Sequence, residues 1–374
     1  MAEPIRVLHV IAGMGSGGAE SFLMNMCRHI DREKVQFDFL LRSNENIYAK
    51  ELESMGCRVY YTASFPRHWL KNFLQTWRII KQNHNKIIHV HANALLYVFP
   101  LIIAKKLNVP CRIMHSHNSS MAYKSALPIH HFFKSRINRI ATHCFACSMQ
   151  AGEWMFPGQY QIICNAIEVE KFRFDSMARD RIRAEWNLPE DAMVIGHVGR
   201  FWEQKNHAFL LHVFSKVLQQ KPNAYLVLIG EGGLEQQIKD LVCKLGLSEH
   251  VIFAGVRKDV NKALSAFDVF AFPSIYEGLS VVVIEAQTNG LPLICSEATP
   301  KSVLFSPYSE QIPLDYGEDT WCQKLLSVGG HRCDVSNAIR QAGYDIRIEA
   351  KKLQDFYCEI GQRYRIVEEG RDEH

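Results

Sequence analysis

Glu277-Gly-Leu-Ser-Val-Val-Val-Ile-Glu285, followed by Ala286-Gln-Thr-Asn-Gly290-Leu-Pro292, is the stretch whose reading decides the fold. It comes just after the apolar run Val269-Phe-Ala-Phe-Pro273, so it reads as a strand end, a glycine-containing turn and then a helix. A helix that begins beside Gly278 and Ser280 offers backbone N–H groups without intrahelical partners at the positive end of the macrodipole, which suits an anion. The spacing of eight residues is expected to bring Glu285 near the face that Glu277 introduces. Two carboxylates so placed can accept hydrogen bonds from sugar and ribose hydroxyls, with a diphosphate held on the amides between them.

Upstream, the apolar run 192–198 ends at Gly199 and is followed by Arg200-Phe-Trp-Glu-Gln-Lys205-Asn206. Two cations just past a strand end suit a diphosphate, Arg200 as a bidentate donor and Lys205 as a point charge. Strand-like runs at 224–229, 251–255, 269–272 and 293–295 alternate with helical patterns at 208–219 and 234–245, so this half reads as an open parallel sheet with helices on its faces. The segment 297–309 carries no assignable pattern, and 344–364 reads as an amphipathic helix with Ile348, Leu353, Phe356, Tyr357 and Ile360 on its apolar side.

The N-terminal half repeats the architecture. Ile5-Arg-Val-Leu-His-Val-Ile11 runs into Gly13-Met-Gly15-Ser-Gly17-Gly18-Ala-Glu20 and then a helix, a loop that lets backbone approach phosphate or sugar closely. Gly13-x-Gly15-x-x-Gly18 also matches the dinucleotide fingerprint, which needs an acidic residue leaving the second strand. Asp38 has the right distance but is followed by Phe39, Leu40 and Leu41 within its own run. Further strands are expected at 58–61, 87–91, 111–115 and 143–147, with helices at 70–81, 95–106 and 129–141. The run 111–115 ends in the polar cluster His115-Ser-His117-Asn118, where ligand sites of such sheets gather. Alternation puts the sulfurs of Cys144 and Cys147 on opposite faces, which favours packing over a metal or redox pair. The charged stretch 168–180, without clean periodicity, is expected to connect the halves.

The chain has 374 residues, enough for two domains with substantial cores, and its 47% hydrophobic and 22% charged residues are ordinary for a globular protein. No apolar run is long enough to span a bilayer, the N-terminus lacks a signal-peptide pattern, and the eleven cysteines are scattered, odd in number and mostly in apolar contexts, so a reduced, cytoplasmic protein is expected. The net charge of +4 divides into +9 on residues 1–168 and −5 on the rest. The basic half is the one to face an anionic acceptor or membrane surface, and its segments Phe65–Arg78 and His130–Arg136 mix cations with aromatics as peripheral contact with the inner face of a cell membrane requires. No nucleic-acid partner is expected.

The Glu277/Glu285 pair with its closing Gly290-Leu-Pro292 resembles the carboxylate pair of the retaining glycosyltransferases of family 4, and the tail of the stretch looks most like bacterial members that assemble capsular polysaccharide or exopolysaccharide. The resemblance implies the α/β GT-B fold: two Rossmann-like doubly wound domains facing across a cleft, here an acceptor-side domain over 1–167, a nucleotide-sugar domain over 168–345, and a final helix in 346–374 crossing back to the first. It extends to a Gly-Gly-Ala/x-Glu loop matched by Gly17, Gly18 and Glu20, a strand-exit histidine facing the donor sugar, matched by His117 with His115 as rival, and a Gly-Arg-x-x-x-x-Lys-Asn segment matched by Arg200 and Lys205. Asn165-Ala166 departs from the Asn-Gly common in the family.

The implied activity is hexosyl transfer from a nucleotide-sugar, a UDP-sugar by family habit, to a hydroxyl of a glycan or lipid-linked acceptor in cell-surface polysaccharide synthesis. The expected catalytic residues are Glu277, His117, Lys205 and Arg200. The expected donor-binding residues are Gly17, Gly18, Arg200, Lys205, Arg257 at the strand exit after Gly255, Gly278, Leu279, Ser280 and Glu285. No cofactor is expected, and because no Asp-x-Asp motif stands in a suitable place, cations rather than a metal carry the diphosphate. A phosphorylase or epimerase of the same fold, a nicotinamide oxidoreductase using the 13–18 glycines with Asp38, and a non-catalytic partner subunit remain as alternatives.

Overall fold

The structure is a computed structural model that describes residues 3–372 except 16, 119–120, 122–123, 278–279 and 329, with side chains except at 124 and 365–372. The chain forms two units, residues 1–166 with 346–374, and residues 167–345. In the first, seven parallel strands, β1 (Ile5–Ile11), β2 (Val35–Leu41), β3 (Val59–Tyr61), β4 (Ile87–Ala92), β5 (Cys111–Ser116), β6 (His143–Ala146) and β7 (Gln161–Ile162), lie in the order β3-β2-β1-β4-β5-β6-β7. In the second, six parallel strands, β8 (Met193–Val198), β9 (Ala224–Ile229), β10 (Val251–Gly255), β11 (Val269–Phe272), β12 (Leu293–Cys295) and β13 (Ser309–Gln311), lie in the order β10-β9-β8-β11-β12-β13. Both sheets are doubly wound and reverse their order beside the first strand, between β1 and β4 and between β8 and β11, which is where open α/β sheets leave a ligand crevice.

Burial on both faces explains the near-continuous apolar strands. In β1, Val7 and Ile11 enter one core layer, and Leu8 and Val10 enter the other. The first layer is covered by the helix Gly18–His29 and by the C-terminal helix Ile346–Asp372, whose Ile346, Ala350, Leu353, Tyr357 and Ile360 are buried there. That helix lies so close to β1 that a Cβ on Gly361 would stand 2.2 Å from Ile5 Cδ1. The buried stripe differs by rotation from the one read in the sequence: Ile348 is 41% exposed, because the i, i+4, i+7 positions that meet the sheet start at Ile346.

Other differences have local causes. The helix expected over 95–106 starts at Phe99 with Pro100 in its first turn, as proline's missing N–H favours, and 129–141 divides into Leu127–Lys134 and Ile137–Ile140. The charged stretch after Ile167 holds helices Val169–Phe172 and Ser176–Glu185, the second capped by Asp175, whose carboxylate accepts from Ala178 N–H. Cys144 and Cys147 pack against one and the same core layer because the chain leaves β6 at Ala146, and burial pushes their thiols up to about 12 and about 11. In the unassigned 297–309 segment, the buried amide of Gln287 donates to Val303 O and accepts from Phe305 N, Ser306 N and Ser309 Oγ, which pins the chain before β13.

Candidate functional site

The second sheet brings two of its candidates, Lys205 and Glu277, together at the reversal point. After β8, Phe201 is buried and anchors the loop, its N–H donating to Glu231 O and its carbonyl accepting from Leu234 N. The approach leaves no room for side chains. A Cβ on Gly232 would lie 2.6 Å from Phe201 O, and one on Gly230, at φ +139°, would lie 2.1 Å from Gly199 O. A turn at Glu203–Lys205 follows, closed by Asn206 in the left-handed region, and the helix His207–Gln220 begins. The chain leaving β11 is stitched to this turn, Ile275 N–H donating to Gln204 O and Gln204 Nε2 to Tyr276 O. The result is a buried ion pair: Lys205 Nζ is 2.6 Å from Glu277 Oε1, with the side chains only 15% and 7% exposed. The ammonium also lies 4.5 Å from the centre of the Phe272 ring.

Glu277 is not on the helix, so the eight-residue spacing is not what relates it to Glu285. The helix is Val281–Thr288, and its N-cap residue Ser280 makes no side-chain cap bond among the described residues. Gly278 and Leu279 lie outside the described residues. Glu285, in the second turn, is partly buried; desolvation pushes its carboxyl up to about 7, and Lys171 only partly opposes this. Arg200 is exposed and among the described residues pairs with no carboxylate. Arg257 is committed elsewhere: its guanidinium bonds Glu185 and Asp259 and lies 5.5 Å from the Trp186 ring, so the structure does not bring its charge to the Lys205–Glu277 pair.

In the first unit, Gly17 caps the helix Gly18–His29, the Glu20 carboxylate lies where a Gly17 Cβ would stand, and Gly18 faces open space. Asp38 is 1% exposed in mid-strand, bonded by the Arg6 guanidinium and by Arg58 N–H, so it offers no carboxylate to a ribose. His115 is fully buried, whereas His117, past the end of β5, is partly exposed and is the one of the two that stands at an open end.

Behind His117 is a group that residue-by-residue reading missed. His9 on β1, His89 and His91 on β4 and His115 on β5 share one sheet face, with His9 in register with His89 and His91 with His115. His9 Nδ1 is 2.9 Å from His91 Nε2, and His91 Nδ1 is 2.8 Å from His117 Nε2. His89 Nε2 is 3.2 Å from His115 Nδ1, and its Nδ1 is 2.6 Å from the Tyr357 hydroxyl. Burial drives His9 and His117 down to about 3, so both imidazoles are neutral near pH 7. The signal was present as two His-x-His pairs, 89/91 and 115/117, each ending a strand.

Two parallel doubly wound units in one chain are the architecture of the GT-B fold, and solved structures agree. The chain superposes on Anabaena HepE in complex with UDP-glucose with a TM-score of 0.75 at 18% identity, covering 94% of this chain and 98% of that one. A glycosyltransferase from Rickettsia africae gives 0.76 at 15% identity, covering 96% and 99%. Family membership follows from sequence: the profile Glycosyltransferase Family 4 matches residues 16–171, and Glycosyl transferases group 1 matches 178–312. The "Putative glycosyltransferase EpsF" of Bacillus subtilis (strain 168) is 33% identical over 370 residues, 94% of this chain and 96% of that protein. The chain belongs to this glycosyltransferase family. It is also 24% identical to the UDP-Gal:alpha-D-GlcNAc-diphosphoundecaprenol alpha-1,3-galactosyltransferase of Escherichia coli, over 87% of this chain and 90% of that one.

Proposed function

We propose that the protein is a retaining hexosyltransferase that moves a sugar from a UDP-sugar to a hydroxyl of a glycan or lipid-linked acceptor in cell-surface polysaccharide synthesis. The observation that carries this reading is the buried Lys205–Glu277 pair at the β8/β11 reversal, just before a helix start that is not capped by a side chain among the described residues. As the anomeric C–O bond breaks, the diphosphate gains negative charge and the sugar ring positive charge. Lys205, Arg200 and the Ser280 helix start stabilise the first, fixed before the reaction so that little reorganisation is needed. The Glu277 carboxylate, held by Lys205, orients the transferred sugar, and the acceptor attacks from the face the phosphate leaves. Glu285 accepts hydrogen bonds from the ribose diol. Uracil is favoured because HepE was solved with UDP and UDP-glucose and the E. coli relative is named for UDP-Gal.

Thermal denaturation tests the donor site. UDP and its sugars are expected to raise the melting temperature more than GDP or ADP, by an amount equivalent to about 2.7 kcal/mol at a hundredfold excess over Kd. Glu285→Gln removes that gain. Without nucleotide the same variant has the opposite effect. The folded carboxyl binds its proton more tightly than the unfolded one, so its contribution is complete below the ordinary value of 4.5 and is lost as pH rises through about 7. Glu285→Gln is therefore expected to exceed wild type by about 1–2 kcal/mol near pH 8 and to lose the advantage near pH 5. Retained nucleotide stabilisation in the variant would remove Glu285 from the site. Stabilisation by NAD(H) alone, or inorganic phosphate as the only phosphorus product, would turn the reading to an oxidoreductase or a phosphorylase.

We also assign a membrane-facing surface to the helix Trp69–Asn83. Its buried residues include the polar Asn72 and Thr76, while Trp69, Leu70 and Leu74 are 55%, 55% and 60% exposed among the exposed Lys71, Arg78 and Lys81. Asn72 belongs inside because it donates to Ala63 O and accepts from the Tyr97 hydroxyl. An outward apolar stripe flanked by cations fits an anionic bilayer. Among the described residues no helix is long and apolar enough to cross one. In co-sedimentation with phosphatidylglycerol vesicles, Leu70→Glu/Leu74→Glu is expected to lower binding about tenfold or more; equal binding, or no difference from phosphatidylcholine vesicles, would argue against the assignment.

A further inference from the structure

The histidine group in the first unit is incompletely satisfied as a hydrogen-bond network. A neutral imidazole carries one N–H and one lone pair. In this group the buried His9 Nε2, His115 Nε2 and His117 Nδ1 have no partner among the described residues. Each unmatched buried nitrogen costs about 1–3 kcal/mol, and two of the three belong to the neighbouring His115 and His117. One ring nitrogen each from His91, His115 and His117 lies within 4.8 Å of the others, which is the spacing from which small side-chain adjustments close three ligands around a single ion.

We propose that His91, His115 and His117 form a three-histidine site for a divalent transition-metal ion of the zinc type, open on its fourth side. The site lies outside the donor residues of the second unit and rests on the first unit's geometry alone. Two of the three ligands are already oriented through their far nitrogens, His91 Nε2 by His9 Nδ1 and His115 Nδ1 by His89 Nε2, with His89 in turn held by the Tyr357 hydroxyl. Metal-binding histidines are characteristically fixed this way, because a partner on the second nitrogen sets the tautomer and ring plane. His115 Nε2 is then the nitrogen left for the ion. The partly exposed His117 provides the entry, and Phe22 packs against the rings of His91, His115 and His117 from the helix Gly18–His29.

The ligand set decides the ion. Three imidazoles without a carboxylate suit Zn2+, Co2+, Ni2+ or Cu2+, whereas Mg2+ and Ca2+ require oxygen. Water or an anion would complete the coordination, since three neutral ligands leave the ion's double charge uncompensated.

The experiment needs no substrate, so its outcome is separate from that of the donor reading. Chelator-treated full-length protein is titrated with Co2+ and followed by visible absorption, then with Zn2+ and followed by elemental analysis after dialysis. The expected result is one ion per chain, intense bands of four-coordinate Co2+, displacement by Zn2+ and none by Mg2+. His115→Gln is expected to abolish binding. Because His115 is fully buried, His117→Gln at the open end is tested beside it, each with its circular dichroism compared with wild type. His9→Gln, which alters the bond to the far nitrogen of His91 and replaces no ligand, is expected to weaken binding about 10–100-fold without abolishing it. Absence of the Co2+ bands in wild type, or metal uptake unchanged in a folded His117→Gln protein, overturns the proposal and leaves the histidines as a hydrogen-bonded chain.

Discussion

Lys205→Met is expected to lower kcat/KM for sugar transfer about 10²–10³-fold, the usual effect of removing one preorganised charge from a site where negative charge develops. The variant also leaves Glu277, 7% exposed, without its counter-ion, so a loss of stability of about 3 kcal/mol is expected with it. The double variant Lys205→Met/Glu277→Gln separates the two effects. It removes the unpaired charge, so its melting temperature returns towards wild type, whereas turnover stays low because nothing replaces the ammonium on the leaving diphosphate. If turnover recovers together with stability, the pair is a structural clamp between the β8 and β11 loops and catalysis lies elsewhere. Such a cycle is needed because the two groups are in contact and their single effects do not add.

Asp268→Asn is expected to destabilise the protein by about 3–5 kcal/mol without touching the donor residues. The Asp268 carboxylate accepts from Arg179, from Arg183 and from Val194 N–H, each at 2.7 Å. Arg332 approaches from the same side, bonded to the carbonyls of Ser265, Phe267 and Asn289, and burial and the neighbouring Arg179 lower it to about 9. Three guanidinium groups therefore gather around a single carboxylate at the end of the helix Val260–Ala266, whose carbonyls add partial negative charge. An amide keeps the shape but not the charge, and it cannot accept on both arms. Urea denaturation measures the loss; a change within about 0.5 kcal/mol would mean that the helix-end carbonyls alone compensate the cations.

The strands were legible because a parallel strand covered on both faces must be apolar throughout, and the chain spells this out at Val35–Leu41, Ala224–Ile229 and Val269–Phe272. Loop chemistry was legible where a glycine or a charge follows such a run, as at Gly17, Arg200 and Lys205. The helix Ser176–Glu185 was not: Arg183 is almost fully buried, and a buried arginine breaks the apolar period on which helix recognition rests. Which residues of Trp69–Asn83 turn inward was not legible for the complementary reason, since Asn72 sits inside by virtue of its hydrogen bonds.

The sequence by itself determined the class of fold, the order of the elements and the family, because these follow from local periodicity and from short segments whose residues act as neighbours in the chain. Only the tertiary structure decided which of those residues meet. Lys205 and Glu277 are 72 residues apart in sequence and 2.6 Å apart in space, because two strands that are not consecutive in the chain lie side by side in the sheet. His9 and His91 are 82 residues apart and meet for the same reason on β1 and β4. Parallel pairing of non-consecutive strands sets these contacts through register, and register is a property of the assembled sheet that no local stretch carries.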